Sequence, residues 1–387
     1  MSLTPTLKNR RIRILHFAKI ISRNDFVDSI VSNLDTEKFE VVIITYEDTS
    51  LTFAPVFKEK GLEHINLNIR NAWHFHKIIP AISKIIKEKQ IDVFHAHLFE
   101  EQFTGAFLRM KFPKVKFIIG RHYSDEIYLL HKNIKRKVWI TIENFANNRA
   151  DAIVAGSQMV RDLLFKQNIT QQKIVSIPYG FDFTDYRYQK NSSEETASVR
   201  NKYKIGENDL LLINVSRLFK LKGQDLLIEV FADLYKNYPN IKLLIVGAGD
   251  ERQSLEEKVK QLGLQEVIQF TGWLKDAHKY VSASDIVVHP TLSEMFSQLM
   301  IESMALQKPL VINKVSGVPD VIQHKWNGMI CNHNHRDWFQ ALKYLIENKS
   351  IREEIGYNAE QHVKKHYQIC DVIMKYQKLY EDLNLKN

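Results

Sequence analysis

Glu294 and Glu302 stand eight residues apart in Glu294-Met295-Phe296-Ser297-Gln298-Leu299-Met300-Ile301-Glu302, just after the apolar run Ile286–His289. The stretch reads as a strand, a short loop and a helix start. A helix opening at Phe296 and Ser297 would turn unpaired N–H groups and the positive end of its dipole toward the strand's carboxyl edge, which suits a diphosphate. Glu302, about two turns on, can accept hydrogen bonds from sugar or ribose hydroxyls; the alternative is a solvated helix position. Spacing alone decides nothing, because 25 Glu in 387 residues give about 1.6 such pairs by chance.

A second cluster follows Leu211-Leu212-Ile213-Asn214-Val215: Ser216-Arg217, then Lys222-Gly223. Arg217 as a fixed fork and Lys222 as a mobile point charge can neutralise a leaving diphosphate, against the alternative of a solvated basic loop. Ile245-Val246-Gly247-Ala248-Gly249 is a third turn, whose glycines permit close approach of backbone or ligand. It lacks the third glycine of a dinucleotide fingerprint. Histidines occur as i,i+2 pairs at 74/76, 95/97 and 333/335, and His122 follows another strand. No third ligand recurs at a zinc spacing, so no metal site is assigned. His16, within the first strand, reads as a core histidine.

Those residues need strand ends to hold them, and the chain supplies them in two series. Ile12–Phe17, Phe39–Thr45, Val93–Ala96, Val115–Gly120 and Ala152–Val154 read as strands separated by helices. Leu210–Val215, Ile241–Val246, Val267–Phe270, Ile286–His289 and Pro309–Ile312 repeat the pattern after Asn191-Ser192-Ser193-Glu194-Glu195. This alternation predicts α/β domains with parallel, helix-covered sheets, and ligands bind such sheets beyond the carboxyl ends of their strands. Asp371–Leu383, with apolar Val372, Met374, Tyr376, Leu379, Tyr380 and Leu383, reads as a terminal helix packed on something already built.

Length and composition agree with two domains: 387 residues with 44% apolar content can bury two cores. Cys331 and Cys370 make neither a disulfide framework nor a C-x-x-C pattern, which fits a reducing compartment. Arg10–Phe17 turns polar at Lys19 and reads as a strand rather than a signal-peptide core, so a cytoplasmic location is expected. The net charge of +9 sits mainly in the first half, where residues 1–185 hold 27 Lys+Arg against 20 Asp+Glu, while residues 186–387 hold 27 against 25. Without aromatic interleaving or a nucleic-acid module, this excess points to phosphorylated ligands or an anionic membrane surface and away from nucleic acid. Lys132, Lys135, Arg136 and Lys137 lie in a stretch with Ile127, Leu130, Ile134, Val138, Ile142 and Phe145 at helical spacing, and with Tyr128 and Trp139 as interface anchors. That is the make-up of an interfacial helix, or of a helix packed on a sheet with a wet back.

The second half resembles the group 1 glycosyltransferases, family 4 of the retaining enzymes with the GT-B fold. The matches run in order: Ile177-Pro178-Tyr179-Gly180-Phe181-Asp182, Ser216-Arg217-Leu218 to Lys222-Gly223, Val246-Gly247-Ala248-Gly249, Phe270-Thr271-Gly272-Trp273, Glu294 to Glu302, Lys308-Pro309-Leu310-Val311, Gly317-Val318-Pro319-Asp320 and Asn327-Gly328. Asp92–His97 and Ala150–Ser157 extend the resemblance into the first half. It implies two Rossmann-like domains whose parallel sheets face a cleft: an acceptor domain over 1–185, a donor domain over 186–366, and a final helix, 367–387, crossing back to the first. By the same resemblance Arg217 and Lys222 hold the diphosphate of a UDP- or GDP-sugar, Glu302 the ribose, Glu294 the transferred sugar, and backbone near Gly249 and Leu274 the base; the helix start at Phe296 and Ser297 adds its own N–H groups at the phosphate. His122 matches the active-site histidine of the acceptor domain. Catalysis would be retaining, without metal or cofactor, onto a glycan or lipid-linked acceptor in cell-surface polysaccharide or glycolipid assembly. The absence of any Asp-x-Asp agrees with metal independence. The chain departs from the family in lacking glycines at Ala18–Ser22, and in carrying Met295 and Gln307 where glycine is usual, which implies a narrowed sugar pocket. Two other readings share the fold: a nucleotide-sugar 2-epimerase, which needs acid/base carboxylates in place of an acceptor site, and a silent sugar-nucleotide-binding subunit.

Overall fold

The computed structural model describes residues 10–19, 21, 26–47, 54–69, 74–122, 134–293, 296–315 and 317–385, the side chains of 54–56 and 135 excepted. The chain divides into two compact units, Met1–Phe181 with Ile369–Asn387, and Asp182–Gln368.

In the first unit the described elements are β1 (Ile12–Ala18), α1 (Phe26–Val31), β2 (Phe39–Thr45), α2 (Ala54–Glu59), β3 (Glu63–Asn66), α3 (Phe75–Lys89), β4 (Val93–His97), α4 (Leu98–Lys111), β5 (Lys116–Arg121), α5 (Ile134–Arg149), β6 (Ala152–Ala155), α6 (Gln158–Lys166) and β7 (Ile174–Ser176). Its sheet runs β3-β2-β1-β4-β5-β6-β7, all parallel. Both faces of such a sheet are covered, so the central strands are near-continuous apolar runs, and Ile14–Ala18 is buried throughout. α3 turns Ile78, Ile82 and Ile86 inward at spacings of four. α6 starts at Ser157, whose hydroxyl accepts from the Val160 N–H at 3.3 Å.

The second unit contains α7 (Ser193–Lys202), β8 (Leu210–Val215), α8 (Gln224–Tyr235), β9 (Ile241–Val246), α9 (Arg252–Gln261), β10 (Ile268–Gly272), α10 (Ala277–Ala283), β11 (Ile286–His289), α11 (Gln298–Ala305), β12 (Leu310–Asn313), α12 (Val318–Val321), β13 (Met329–Cys331), α13 (His335–Glu347) and α14 (Lys349–His366). The order β10-β9-β8-β11-β12-β13 repeats the topology of the first sheet, again all parallel. Ser192 and Glu195 form a capping box at the start of α7. In each sheet the strand order reverses once, between β1 and β4 and between β8 and β11, and a crevice opens beyond the carboxyl ends at such a point.

The last helix, α15 (Ile369–Leu385), belongs to the first unit. Val372, Ile373, Tyr376, Leu379, Tyr380 and Leu383 join the core made by Ile14, Ile43, Val93 and Ile118. Full burial of such side chains is worth roughly 1.5–3 kcal/mol each. Met374, expected in that stripe, is exposed, and Ile373 takes the inward position. Three strands were not expected from the sequence, β3, β7 and β13, each of three or four residues at a sheet edge. Edge strands this short have too few residues to show a period. No helix among the described residues is long and apolar enough to cross a membrane.

Candidate active site

The turn after β8 is built to present Arg217. Asn214 Nδ2 donates to Val288 O at 2.8 Å and ties β8 to β11, while Gln224 Nε2 donates to Ser216 Oγ at 2.8 Å and to Arg217 O at 3.2 Å. With its backbone held from below, the Arg217 side chain is exposed. Gly247 and Gly249 seat the neighbouring turn against this one. Leu218 N donates to Ala248 O at 2.9 Å, and a Cβ at Gly247 would collide with Ser216 O, one at Gly249 with Leu218 O. Gly247, at φ +144, also holds a conformation that other residues rarely adopt. The partner these two glycines admit is therefore backbone.

Lys222 ends a short 3-10 turn, and Gly223 follows in the left-handed region at φ +69, where a Cβ would strike Pro290 O. The Lys222 ammonium reaches Thr291 Oγ1 at 3.4 Å and Ser293 O at 3.5 Å, at the long end of hydrogen-bonding distance. The loop after β11 is pinned by Asn313, whose Nδ2 donates to Pro290 O at 2.8 Å and Thr291 O at 2.9 Å while Trp338 Nε1 donates to its Oδ1 at 2.8 Å. Two cations thus stand at the ends of β8 and β11, on the switch point of one sheet.

α11 starts beside them. Ser297 is its N-cap, buried, with its Oγ accepting from Met300 N at 3.3 Å. Phe296 is half-buried, its ring 6.2 Å from that of Tyr367. Glu302 is half-buried too, and Gln298 Nε2 donates to its Oε1 at 3.0 Å. Burial raises the Glu302 pKa to about 7, and the nearby Arg187 guanidinium pulls against that rise. Arg187, itself paired with Asp185 at 2.9 Å, is a neighbour of the site that sequence reasoning missed; it carries no motif and lies far from Glu302 along the chain. Leu274, half-buried, follows β10 in the segment Trp273–Asp276. Glu294 and Met295 lie outside the described residues.

At the other departure, Gln307, the structure assigns a role other than pocket shape. Gln307 sits at φ +59 just past α11, with Lys308 N donating to Ser303 O at 2.8 Å and Gln307 N to Met304 O at 3.1 Å. This is the helix-ending motif in which glycine is favoured, and a side chain there costs about 1–2 kcal/mol. The glycine it replaces belongs to a helix cap, so the expected narrowing of the sugar pocket does not follow from Gln307. In the first loop Lys19 is ion-paired with Glu47 at 3.1 Å, while Ile20 and Ser22 lie outside the described residues.

The carboxyl edge of the first sheet is of another kind. His16 on β1 and His95 on β4 are register partners, and His97 ends β4. One ring nitrogen from each lies within 4.8 Å of those from the other two, so the sequence's core histidine has joined a cluster. His16 Nδ1 is 2.9 Å from His97 Nε2, His97 Nδ1 is 3.2 Å from His122 Nε2, and His122 Nδ1 is 3.2 Å from Tyr179 Oη. His95 Nδ1 pairs with Tyr380 Oη of α15 at 2.9 Å. Gly120 on β5 makes room, since a Cβ there would stand 2.6 Å from His122 Nε2 and 2.8 Å from His97 Nδ1. Burial lowers the His16 and His122 pKa values to about 3 and those of His95 and His97 well below the usual range, so the rings are neutral at pH 7. Phe26 stacks on His122 with centroids 3.5 Å apart. Both nitrogens of His122 are thereby committed within the unit. Beside this edge, Tyr46 Oη donates to the buried Glu101 at 3.0 Å, and burial raises the Glu101 pKa to about 8. Leu98, directly after His97, holds a left-handed φ of +69, a strain of the kind that collects at functional sites. Lys132 lies outside the described residues, as does the Lys135 side chain, while Arg136 and Lys137 are exposed on α5.

Comparison with known proteins gives both halves the same relatives. The profile of Glycosyl transferases group 1 matches residues 195–362, and that of Glycosyltransferase Family 4 matches 25–185. N-acetyl-alpha-D-glucosaminyl L-malate synthase of Bacillus anthracis is 23% identical over 78% of this chain and 77% of its own. Alpha-monoglucosyldiacylglycerol synthase of Streptococcus pneumoniae is 24% identical over 70% of this chain and 62% of its own. Among solved structures, Anabaena HepE in complex with UDP superposes with a TM-score of 0.80 at 19% identity, covering 96% of this chain and 100% of that one. Its complex with UDP-glucose gives 0.78 at 18% identity, with the same coverage. The matched profiles, the shared strand order and the motifs agree, and the chain belongs to the group 1 glycosyltransferases, with two Rossmann-like domains of the GT-B type.

Proposed function

We propose that the chain transfers a sugar from a UDP- or GDP-sugar to a glycan or lipid-linked acceptor, with retention and without a metal or cofactor. One observation carries the reading: Arg217, Lys222 and the start of α11 stand at the switch point of a single parallel sheet. As the bond from the anomeric carbon to the diphosphate breaks, charge builds on the leaving oxygens, and donors already aimed at them give the largest help. The acceptor oxygen then forms its bond on the face the diphosphate leaves, and its proton passes to the departing phosphate oxygen. Glu302 takes the ribose hydroxyls, Glu294 the sugar, and backbone near Gly249 and Leu274 the base. HepE, seen with UDP and UDP-glucose, supports a uridine donor.

The acceptor side supports a membrane setting. Ile134 and Val138 on α5 are 77% and 49% exposed beside Arg136 and Lys137, and Phe107 and Met110 on the adjoining α4 are exposed as well. Apolar residues turned to water among cations suit the inner face of an anionic membrane, reached from the cytoplasm.

Incubation with UDP- and GDP-sugars in the absence of acceptor separates the three readings. A transferase at most hydrolyses its donor slowly, whereas an epimerase converts it and a silent subunit does neither. Transfer should continue in EDTA; loss of activity restored by Mn²⁺ or Mg²⁺ would overturn the metal-free mechanism.

A further inference from the structure

Tyr179, His122, His97 and His16 form one hydrogen-bonded row, with separations of 3.2, 3.2 and 2.9 Å. Each ring is neutral and so carries one N–H. A bond between two rings holds one proton, so His122, His97 and His16 must all carry theirs on Nδ1 or all on Nε2. The two states differ at both ends: Tyr179 Oη accepts from His122 in the first and donates to it in the second, and at the inner end His16 Nε2 is buried without a hydrogen-bond partner among the described residues. Protons on Nε2 would leave an orphaned N–H there, whereas protons on Nδ1 leave only a bare lone pair, and buried donors without acceptors are the rarer case. We propose that His16 and His97 are positioning residues for His122: the closed inner end of the row places the His122 proton on Nδ1, from which it is donated to Tyr179. His95, held by Tyr380, lies beside the row.

The row makes a residue hydrogen-bonded to His97, and not to His122, decide the tautomer of His122. In the His16→Met variant a thioether, which accepts weakly and cannot donate, faces His97 Nε2 and should draw the proton there, inverting His97 and His122 to Nε2–H. His16→Leu offers no acceptor and should leave both on Nδ1. The two substitutes are apolar and similar in size, so packing alone predicts no difference between them.

Two-bond ¹H–¹⁵N spectra of histidine-labelled protein distinguish a protonated ring nitrogen from a bare one. Nδ1–H on all three rings of the wild type, retained at His97 and His122 in His16→Leu and inverted in His16→Met, is the expected result. Any of the three wild-type rings on Nε2–H overturns the proposal, as does an unchanged His122 in folded His16→Met, or Zn²⁺ shifting His16, His95 and His97 together. If His16→Met does not fold, the wild-type and His16→Leu spectra still decide. A kinetic arm rests on the transferase reading: His16→Met should lower kcat by about 10-fold or more with little change in KM, and His16→Leu should lower it less. Absence of transfer by every form would count against that reading and leave the spectra to judge the row.

Discussion

At the carboxyl edge of the β8/β11 sheet, Arg217 is exposed, Lys222 reaches Thr291 Oγ1 at 3.4 Å, and Glu302 sits near its titration point beside Arg187. At the edge of the β1/β4 sheet the same topology carries three buried, neutral histidines and a buried Glu101 whose pKa is raised to about 8. One strand order thus serves opposite electrostatics. A site for a diphosphate must keep charges hydrated until the ligand replaces the water. A site that orients a hydroxyl gains from neutral groups with fixed proton positions, because low dielectric strengthens each hydrogen bond and penalises each unmatched one.

The sharpest way to break this contrast is to remove one partner of a buried ion pair beside the histidines. Arg121 and Glu143 are both fully buried and paired at 3.2 Å. Glu143→Leu should cost about 3–5 kcal/mol in urea unfolding, and adding Arg121→Met should recover most of it. A single variant as stable as the wild type would show that water reaches this interior.

On the charged side, Arg217→Ala or Lys222→Ala should lose roughly 2–4 kcal/mol of transition-state stabilisation, seen mainly in kcat, while leaving unfolding unchanged. Wild-type rates in both would remove the diphosphate assignment.

Glu101 sharpens the comparison through pH. Its folded pKa of about 8 exceeds the ordinary 4.5, so the folded state holds the proton more tightly. The associated stability is full below about pH 4.5 and is lost as pH rises through 8. Glu101→Gln, which can still accept from Tyr46, should flatten that slope, a difference on the order of 1–3 kcal/mol at pH 9. Parallel profiles of melting temperature against pH would refute it.

The smallest effect belongs to the surface of α5. Arg136→Gln with Lys137→Gln should weaken co-sedimentation with anionic vesicles by about 1 kcal/mol per charge, in a salt-sensitive way. If the wild type ignores such vesicles at low salt, the exposed Ile134 and Val138 serve something other than a membrane.

Much of this was legible in the sequence, because β-branched runs, helical spacing and Gly-bearing turns act within a few residues of one another. They are enough to place ten strands in two series and to set Arg217, Lys222 and Ser297 at strand ends, and the ordered motifs carried the family. Tertiary structure alone decided which groups meet and which stay charged. His16 bonds His97 across 81 positions and His95 bonds Tyr380 across 285. Arg187 reaches Glu302 through a segment with no motif. Gln307 turns out to cap a helix. A side chain's protonation and its partners follow from the water removed around it, and that depends on strands and helices brought together from distant parts of the chain.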